Sequence, residues 1–119
     1  MQTAASCYNE IESMKLAIVL SGSQAEINWN ALRLANLAVG KGDKVAIFLV
    51  GEGVEYEHYN SDQFDIKKQV EQFLDAGGEI IACGTCLNLR KQAESAACPA
   101  GRLDDWYRLI SESDKVLTF

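Results

Sequence analysis

The chain has 119 residues, 48% hydrophobic and 24% charged, a composition typical of one globular domain with a hydrophobic core. Its formal net charge is −6 and its basic residues are scattered, so we expect no nucleic-acid partner. No apolar run approaches membrane-spanning length, and the first thirteen residues lack the basic start and apolar stretch of a secretory signal. We therefore expect a cytoplasmic protein without a membrane partner, whose cysteines are thiols, ligands or redox groups rather than structural disulfides.

The predicted elements begin after residue 13, so we expect a flexible N-terminal extension over residues 1–13 and a single domain over residues 14–119. Four apolar runs have the length of strands, and two of them are nearly continuous, as in strands buried on both faces of a parallel sheet. The four predicted strands are Lys15–Ser21, Lys44–Val50, Glu79–Ala82 and Lys115–Phe119.

Four helical patterns lie between these strands. The first has Ser23 and Glu26 at capping-box spacing, and the second, residues 64–76, has Asp62 as its expected cap. The third helix is predicted to begin near Cys86 and the fourth near Arg102, and segments 51–61 and 93–101 are predicted loops. The fourth helix carries one apolar face, formed by Leu103, Trp106, Tyr107 and Ile110.

The order β-α-β-α-β-α-α-β predicts an α/β fold. We expect a three-layer α/β/α sandwich with a mostly parallel sheet of four to five strands.

The segment "ACGTC" follows the third predicted strand and is the strongest candidate site. Cys83 ends that strand, Thr85 is predicted to cap the next helix, and Cys86 then falls in the first helical turn. Ligands of open α/β sheets bind at this carboxyl edge, and a helix N-terminus favours a thiolate over a thiol. Gly84 permits another molecule to approach the sulfur closely. We therefore predict Cys83 and Cys86 as catalytic residues, with Gly84 and Thr85 in the binding site.

Three other interpretations of the cysteine pair stay open at this stage. Free cysteines often pack in cores, and a Cys-x-x-Cys pair also occurs in zinc sites and in thioredoxin-like redox proteins. Only one zinc knuckle is present, and further ligands would be Cys98 with Cys7 or His58, so we expect no metal and no other cofactor. The pair comes later than in thioredoxin-like chains, although a reversible disulfide does not require that fold.

Further residues are expected near the same sheet edge. Gly51, Glu52 and Gly53 end the second strand, and their backbone either lines a pocket or forms an ordinary turn. Cys98, in the last long loop, is a candidate second exchange partner for Cys83.

Four other residues are interpreted as having no part in the chemistry. His58 and Arg90 are expected to be solvated, and Trp29 and Trp106 to lie in the core or at a subunit contact.

Together these motifs resemble the DsrE/DsrF-like family of small sulfur-relay proteins over residues 14–119. The similar segments are "KLAIVLSG", "VAIFLVGEGV", "DAGGEIIACGTCLNLR" and "CPAGRLDDWYRLISESDKVLTF". The resemblance implies a three-layer fold, assembly into homo-oligomers of three or six subunits, and a role as sulfurtransferase or sulfur carrier. It also implies sulfur donors and acceptors, either proteins or small sulfane compounds, as partners.

The family cysteine matches Cys83, which the resemblance implies takes sulfane sulfur as a persulfide and passes it on. The hetero-oligomeric relays of the family have small residues and then arginines after that cysteine, whereas this chain has Cys86 and, later, Arg90. It is therefore more similar to homo-oligomeric "CGTC" members. Two alternatives stay open, a non-catalytic oligomeric binding or regulatory module and a Cys83–Cys86 dithiol redox protein.

Overall fold

The computed structural model describes residues 13–119, so nearly all of the predicted extension, with Cys7, lies outside the described residues. The described chain forms one five-stranded sheet, β4-β3-β2-β1-β5, in which every strand pair is parallel. This confirms the predicted α/β class and strand number. The strands are β1 Lys15–Leu20, β2 Lys44–Leu49, β3 Glu79–Cys83, β4 Ala100–Gly101 and β5 Lys115–Thr118. The α-helices are α1 Ala25–Gly40, α2 Ile66–Asp75, α3 Gly84–Leu89 and α4 Leu103–Glu112.

One face of the sheet carries most of the core, and we call it the thick face. Strands β1 and β2 pair in register, so their alternate side chains point to the same side. Leu32 of α1 and Phe73 of α2 are fully buried against these side chains. The sheet residues buried in this large cluster are Leu16, Ile18, Leu20, Val45, Ile47, Leu49, Ile80 and Ala82.

The opposite face, which we call the thin face, has a much smaller cluster. It consists of Phe48, Ile81, Cys83 and Leu109, and the Trp106 ring stacks on Phe48 with their centroids 4.9 Å apart. Among residues 13–119, α4 covers this face through Trp106 and Leu109, and Cys86 of α3 packs at the edge of the cluster. Cys83 therefore lies on the side of the sheet with less protein above it.

Most of the predicted apolar face of the fourth helix points to solvent. Leu103 and Tyr107 are 72% and 73% exposed, and Ile110 is also exposed, whereas Leu109 is buried. The helix contacts the sheet along its 106–109 edge, because residues three apart lie on one side of a helix. The remaining apolar residues form a second, uncovered stripe.

Two predicted helix caps are wrong. Helix α1 begins at Ala25 after Gln24, and no side chain caps it, so Ser23 and Glu26 form no capping box. Helix α2 is capped by Asp65, whose carboxylate accepts the Lys68 N–H at 3.2 Å, rather than by Asp62. The observed N-cap positions are thus Gln24 and Asp65, one and three residues after the predicted ones.

The predicted loops both contain regular structure. Residues Gly51–Tyr59 form two short 3-10 helices with a kink at Glu55 rather than a polar loop, and they bury Val54 and Tyr56 against the thick face. The two residues of β4 pair with Ala82 and Cys83 and so extend the sheet beyond the predicted strands. Within residues 13–119, no helix is long and apolar enough to cross a membrane.

Candidate functional site

Cys83 and Cys86 lie together where β3 passes into α3. Cys83 is both the last residue of β3 and the N-cap of α3, and its sulfur accepts the backbone N–H of Cys86 at 3.4 Å. The prediction that Thr85 caps this helix is wrong, because the helix begins two residues earlier, at Gly84, and Thr85 is exposed. Cys86 nevertheless falls in the first turn, as predicted.

The end of β2 reaches the same site. Since β2 and β3 are parallel neighbours, their carboxyl ends meet at one edge of the sheet. There the backbone N–H of Gly51 donates a hydrogen bond to the Cys86 sulfur at 3.1 Å. Sequence patterns alone did not identify this contact, which joins residues 35 positions apart.

Glycines hold the Gly51 N–H in this position. Gly51 has φ +58°, a left-handed conformation that side chains disfavour. At Gly53 a side chain would collide with the backbone, since an added Cβ would lie 2.1 Å from the Leu20 carbonyl oxygen. Both glycines therefore have structural reasons for their identity, and Glu52 between them is exposed.

The Cys83 thiol lies in a largely buried environment. Only 8% of the residue is exposed, and this burial is the largest cause that raises the pKa of the Cys83 thiol. The Cys86 N–H acts in the opposite direction, while the Cys86 side chain raises the pKa further. Desolvation, which the sequence argument did not include, therefore disfavours a free thiolate at Cys83.

Arg90 fixes α3 to the 3-10 segment. Its Nε donates to the Glu55 carboxylate at 2.6 Å, and its Nη1 donates to the Cys86 carbonyl at 3.2 Å. The expectation of a solvated Arg90 is wrong, because Arg90 spans the two elements that surround Cys86. The hydrogen bond from Arg90 is the largest cause that lowers the pKa of Glu55.

His58 lies on the outer side of this ion pair. It contacts Glu55 at 3.2 Å and its side chain is 66% exposed, in agreement with the solvated position expected for it. Sequence analysis missed Glu55, for which the run of charges in segment 51–61 gave no distinguishing signal.

Cys98 belongs to the thick face, with Ala82 and Leu87, whereas Cys83 belongs to the thin face. The Cys98 sulfur lies 3.6 Å from the Tyr56 hydroxyl beside a cavity of about 30 Å³. Burial raises the pKa of the Cys98 thiol. The structure thus brings Cys83, Cys86 and Gly51 together and leaves Cys98 in a separate cluster.

The arrangement does not form a metal site in the part of the chain that is described. Among residues 13–119, no three His, Cys, Asp or Glu side chains come together as a potential ligand group.

One further polar atom is notable, the Trp106 indole N–H, which is buried without a hydrogen-bond acceptor in residues 13–119.

The structure is thus an all-parallel α/β sheet with two neighbouring cysteines, Cys83 and Cys86, at its carboxyl edge. The chain belongs to the DsrE/DsrF-like family, whose model matches residues 14–119.

Among curated relatives, it is 31% identical over 97 residues to an uncharacterized protein of Methanopyrus kandleri, covering 76% of this chain and 80% of that protein. It is 28% identical over 114 residues to an uncharacterized protein of Methanocaldococcus jannaschii, covering 89% of this chain and 100% of that one. A conserved protein of unknown function from Bacteroides thetaiotaomicron has the same fold, with TM-score 0.73 at 18% identity over 88% of this chain and 94% of that chain.

Proposed function

We propose that this protein is a sulfur-relay carrier of the sulfurtransferase type, working in the cytoplasm through the Cys83–Cys86 pair. A thiolate of the pair attacks the outer sulfur of a donor persulfide. The new sulfur–sulfur bond forms at the protein, the old one breaks, and the donor leaves as its thiolate. An acceptor thiolate then attacks the outer sulfur of the protein persulfide and restores the original thiolate. The donors and acceptors are proteins or small sulfane compounds.

The observation that supports this proposal is that each of the two sulfurs accepts a hydrogen bond from a backbone N–H. Gly51 N–H donates to the Cys86 sulfur at 3.1 Å, and Cys86 N–H donates to the Cys83 sulfur at 3.4 Å. Backbone donors directed at sulfur stabilise negative charge there, which both a nucleophile and a persulfide require. Membership of the DsrE/DsrF-like family is consistent with sulfur-relay chemistry.

One observation favours a different class of function. Cys83 is buried and its thiol has a raised pKa, as expected for a non-catalytic oligomeric binding or regulatory module that keeps the fold. The proximity of Cys83 and Cys86 in turn suits a dithiol redox protein. The three functions differ in what the thiols do with a polysulfide, so one measurement separates them.

We also propose that the protein forms a homo-oligomer of three or six subunits. The uncovered stripe on α4, formed by Leu103, Tyr107 and Ile110, is a surface that a second copy would bury. Light scattering coupled to size exclusion tests this, with Tyr107→Asp expected to lower the mass. Leu37→Asp, at an exposed site on α1, is the matched control. A monomeric wild type would contradict the proposal.

The test of the relay is an anaerobic intact-mass spectrum before and after incubation with polysulfide. Both thiols lie on one tryptic peptide, residues 69–90, so this peptide should gain a sulfur that a reductant removes. The double variant Cys83→Ser/Cys86→Ser should gain none, while Cys7→Ser, a matched cysteine control, should keep the gain on that peptide. No gain in the folded, reduced wild type would favour the binding module. A Cys83–Cys86 disulfide without a persulfide would favour the redox protein.

A further inference from the structure

The two thiols at the sheet edge are not equivalent. Cys83 is 8% exposed, within the thin-face cluster, with Phe48 and Leu109 around it. Cys86 is only partly buried and lies at the margin of both clusters, so a donor reaches its sulfur more readily than that of Cys83.

The hydrogen bonds also differ in what they imply for each sulfur. The Cys86 sulfur receives the Gly51 N–H at 3.1 Å, a donor from outside its own helix. The Cys83 sulfur receives the Cys86 N–H at the longer distance of 3.4 Å, and in doing so it occupies the N-cap position of α3. A sulfur that caps a helix fixes the first turn of that helix, which here contains Cys86.

Charge at the site is arranged around Cys86 as well. Arg90 donates to the Cys86 carbonyl at 3.2 Å, so its guanidinium lies next to Cys86. Glu55 accepts from the same guanidinium and ties it to the segment that begins with Gly51. The Gly51 N–H and the guanidinium are thus held on the Cys86 side of the pair.

From these contacts we infer that Cys86, rather than Cys83, is the thiol that accepts the sulfane sulfur, and that Cys83 is a positioning residue that caps α3 beneath it. This inference rests on the proposed relay function and differs from the assignment implied by family resemblance. The Cys86 thiolate attacks the outer sulfur of the donor R–S–SH. The Cys86–sulfur bond forms, the donor sulfur–sulfur bond breaks, and the electron pair leaves on RS⁻, which takes a proton from water.

Single variants of the full chain test this division of roles in the same polysulfide assay. Cys86→Ser should lose the sulfur gain on the residue 69–90 peptide. Cys83→Ser should keep it, because a serine hydroxyl also caps a helix, and fragmentation of its peptide should place the sulfur on Cys86. Cys83→Ala, which removes the cap, should load more slowly than Cys83→Ser.

If Cys83→Ser loads sulfur and Cys83→Ala loads it slowly, Cys83 acts by positioning α3, and the slow loading does not come from a general loss of structure. Circular dichroism should show the same helix content in Cys83→Ser as in wild type.

A second measurement compares the reactivity of the two thiols without a sulfur donor. Limited iodoacetamide at neutral pH should label Cys86 before Cys83 in the wild type.

The outcomes distinguish this inference from the proposed function. Loading of Cys86→Ser at the wild-type rate, with loss in Cys83→Ser, would overturn the inference and leave the relay in place with Cys83 as acceptor. Equal loss in both folded single variants would also overturn it, since Cys83 would then take part in the chemistry. Absence of loading in the wild type would reject the relay, and the inference with it.

Discussion

The two faces of the sheet differ in how much protein covers them, and each face encloses a different cysteine. The thick face buries a continuous cluster beneath α1 and α2, and its cysteine, Cys98, is enclosed beside Tyr56. The smaller cluster on the thin face comprises Phe48, Ile81, Cys83 and Leu109 of α4, and Cys83 lies next to the partly exposed Cys86. Cys83 therefore lies outside the main cluster, whereas Cys86 lies at the margin of both clusters.

The largest expected effect is on the thick face. Phe73→Ala removes a fully buried ring and should lower the free energy of unfolding by about 3–5 kcal/mol. Leu109→Ala on the thin face should cost about 2 kcal/mol, because its cluster is small and lies close to solvent. Urea unfolding measures both.

The same two variants test whether the two faces of the sheet behave independently. Leu109→Ala should speed the alkylation of Cys83 in the folded protein, and Phe73→Ala should not. Faster Cys83 alkylation in folded Phe73→Ala would show that the two faces are coupled.

The next effect concerns Gly53, where β1 approaches the 3-10 segment. Gly53→Ala would place a Cβ against the Leu20 carbonyl, and relief of that clash should cost about 1–3 kcal/mol. The shift should also move Gly51 N–H from the Cys86 sulfur and slow sulfur loading. Gly40→Ala is the matched control, since an added Cβ there meets no atom within 4 Å. Normal sulfur loading in Gly53→Ala would show that loading does not depend on the position of the 3-10 segment.

A smaller effect is expected from alkaline pH. Burial raises the pKa of the Cys98 thiol, so the folded protein keeps a proton that the unfolded chain releases. This stability is fully present below the ordinary cysteine pKa, and it is lost as pH rises from there through the folded pKa.

Urea unfolding between about pH 8 and about pH 10 should therefore show falling stability in the wild type. The decline should be less steep in Cys98→Ala, which retains Cys83 and Tyr56. Identical slopes in the two proteins would show that Cys98 does not contribute.

The smallest effect is expected from the ion pair beside Cys86. Glu55→Gln keeps an acceptor for Arg90 but removes the charge that neutralises it, so an anionic polysulfide should load slightly faster. The gain should fall with added salt, because screening weakens exposed charges. Glu57→Gln, in the same 3-10 segment but paired with Lys67, is the control. A gain that does not depend on salt would indicate a cause other than charge.

Much of the fold is predictable because its signals are local. The apolar runs at residues 15–21 and 44–50 indicate buried parallel strands, and their order with the helices defines the α/β class. The same reasoning places Cys83 at the end of β3. Which side of α4 faces the sheet is not local information, so Leu109 was not anticipated as its buried residue.

The two cysteines of the site could be predicted from the sequence, but the contacts that hold them in place could not. The Gly51–Cys86 and Glu55–Arg90 contacts each join residues 35 positions apart. They form where the 3-10 segment meets α3, and the sequence patterns predicted these two elements as a loop and a helix. The 3-10 segment depends on the approach of Gly53 to the β1 backbone, and β4 depends on pairing with β3. These features depend on contacts between distant parts of the sequence, so they form only in the folded chain.

The donor to the Cys86 sulfur is a main-chain N–H, and every residue except proline has one. Mutation can therefore change the side chains around this sulfur extensively without deleting the group that contacts it. The contact instead requires a backbone path, with the left-handed residue at position 51 and the close approach at position 53. The hydrogen bond to this sulfur thus depends on the shape of the backbone, and substitutions nearby that keep this shape should leave it in place.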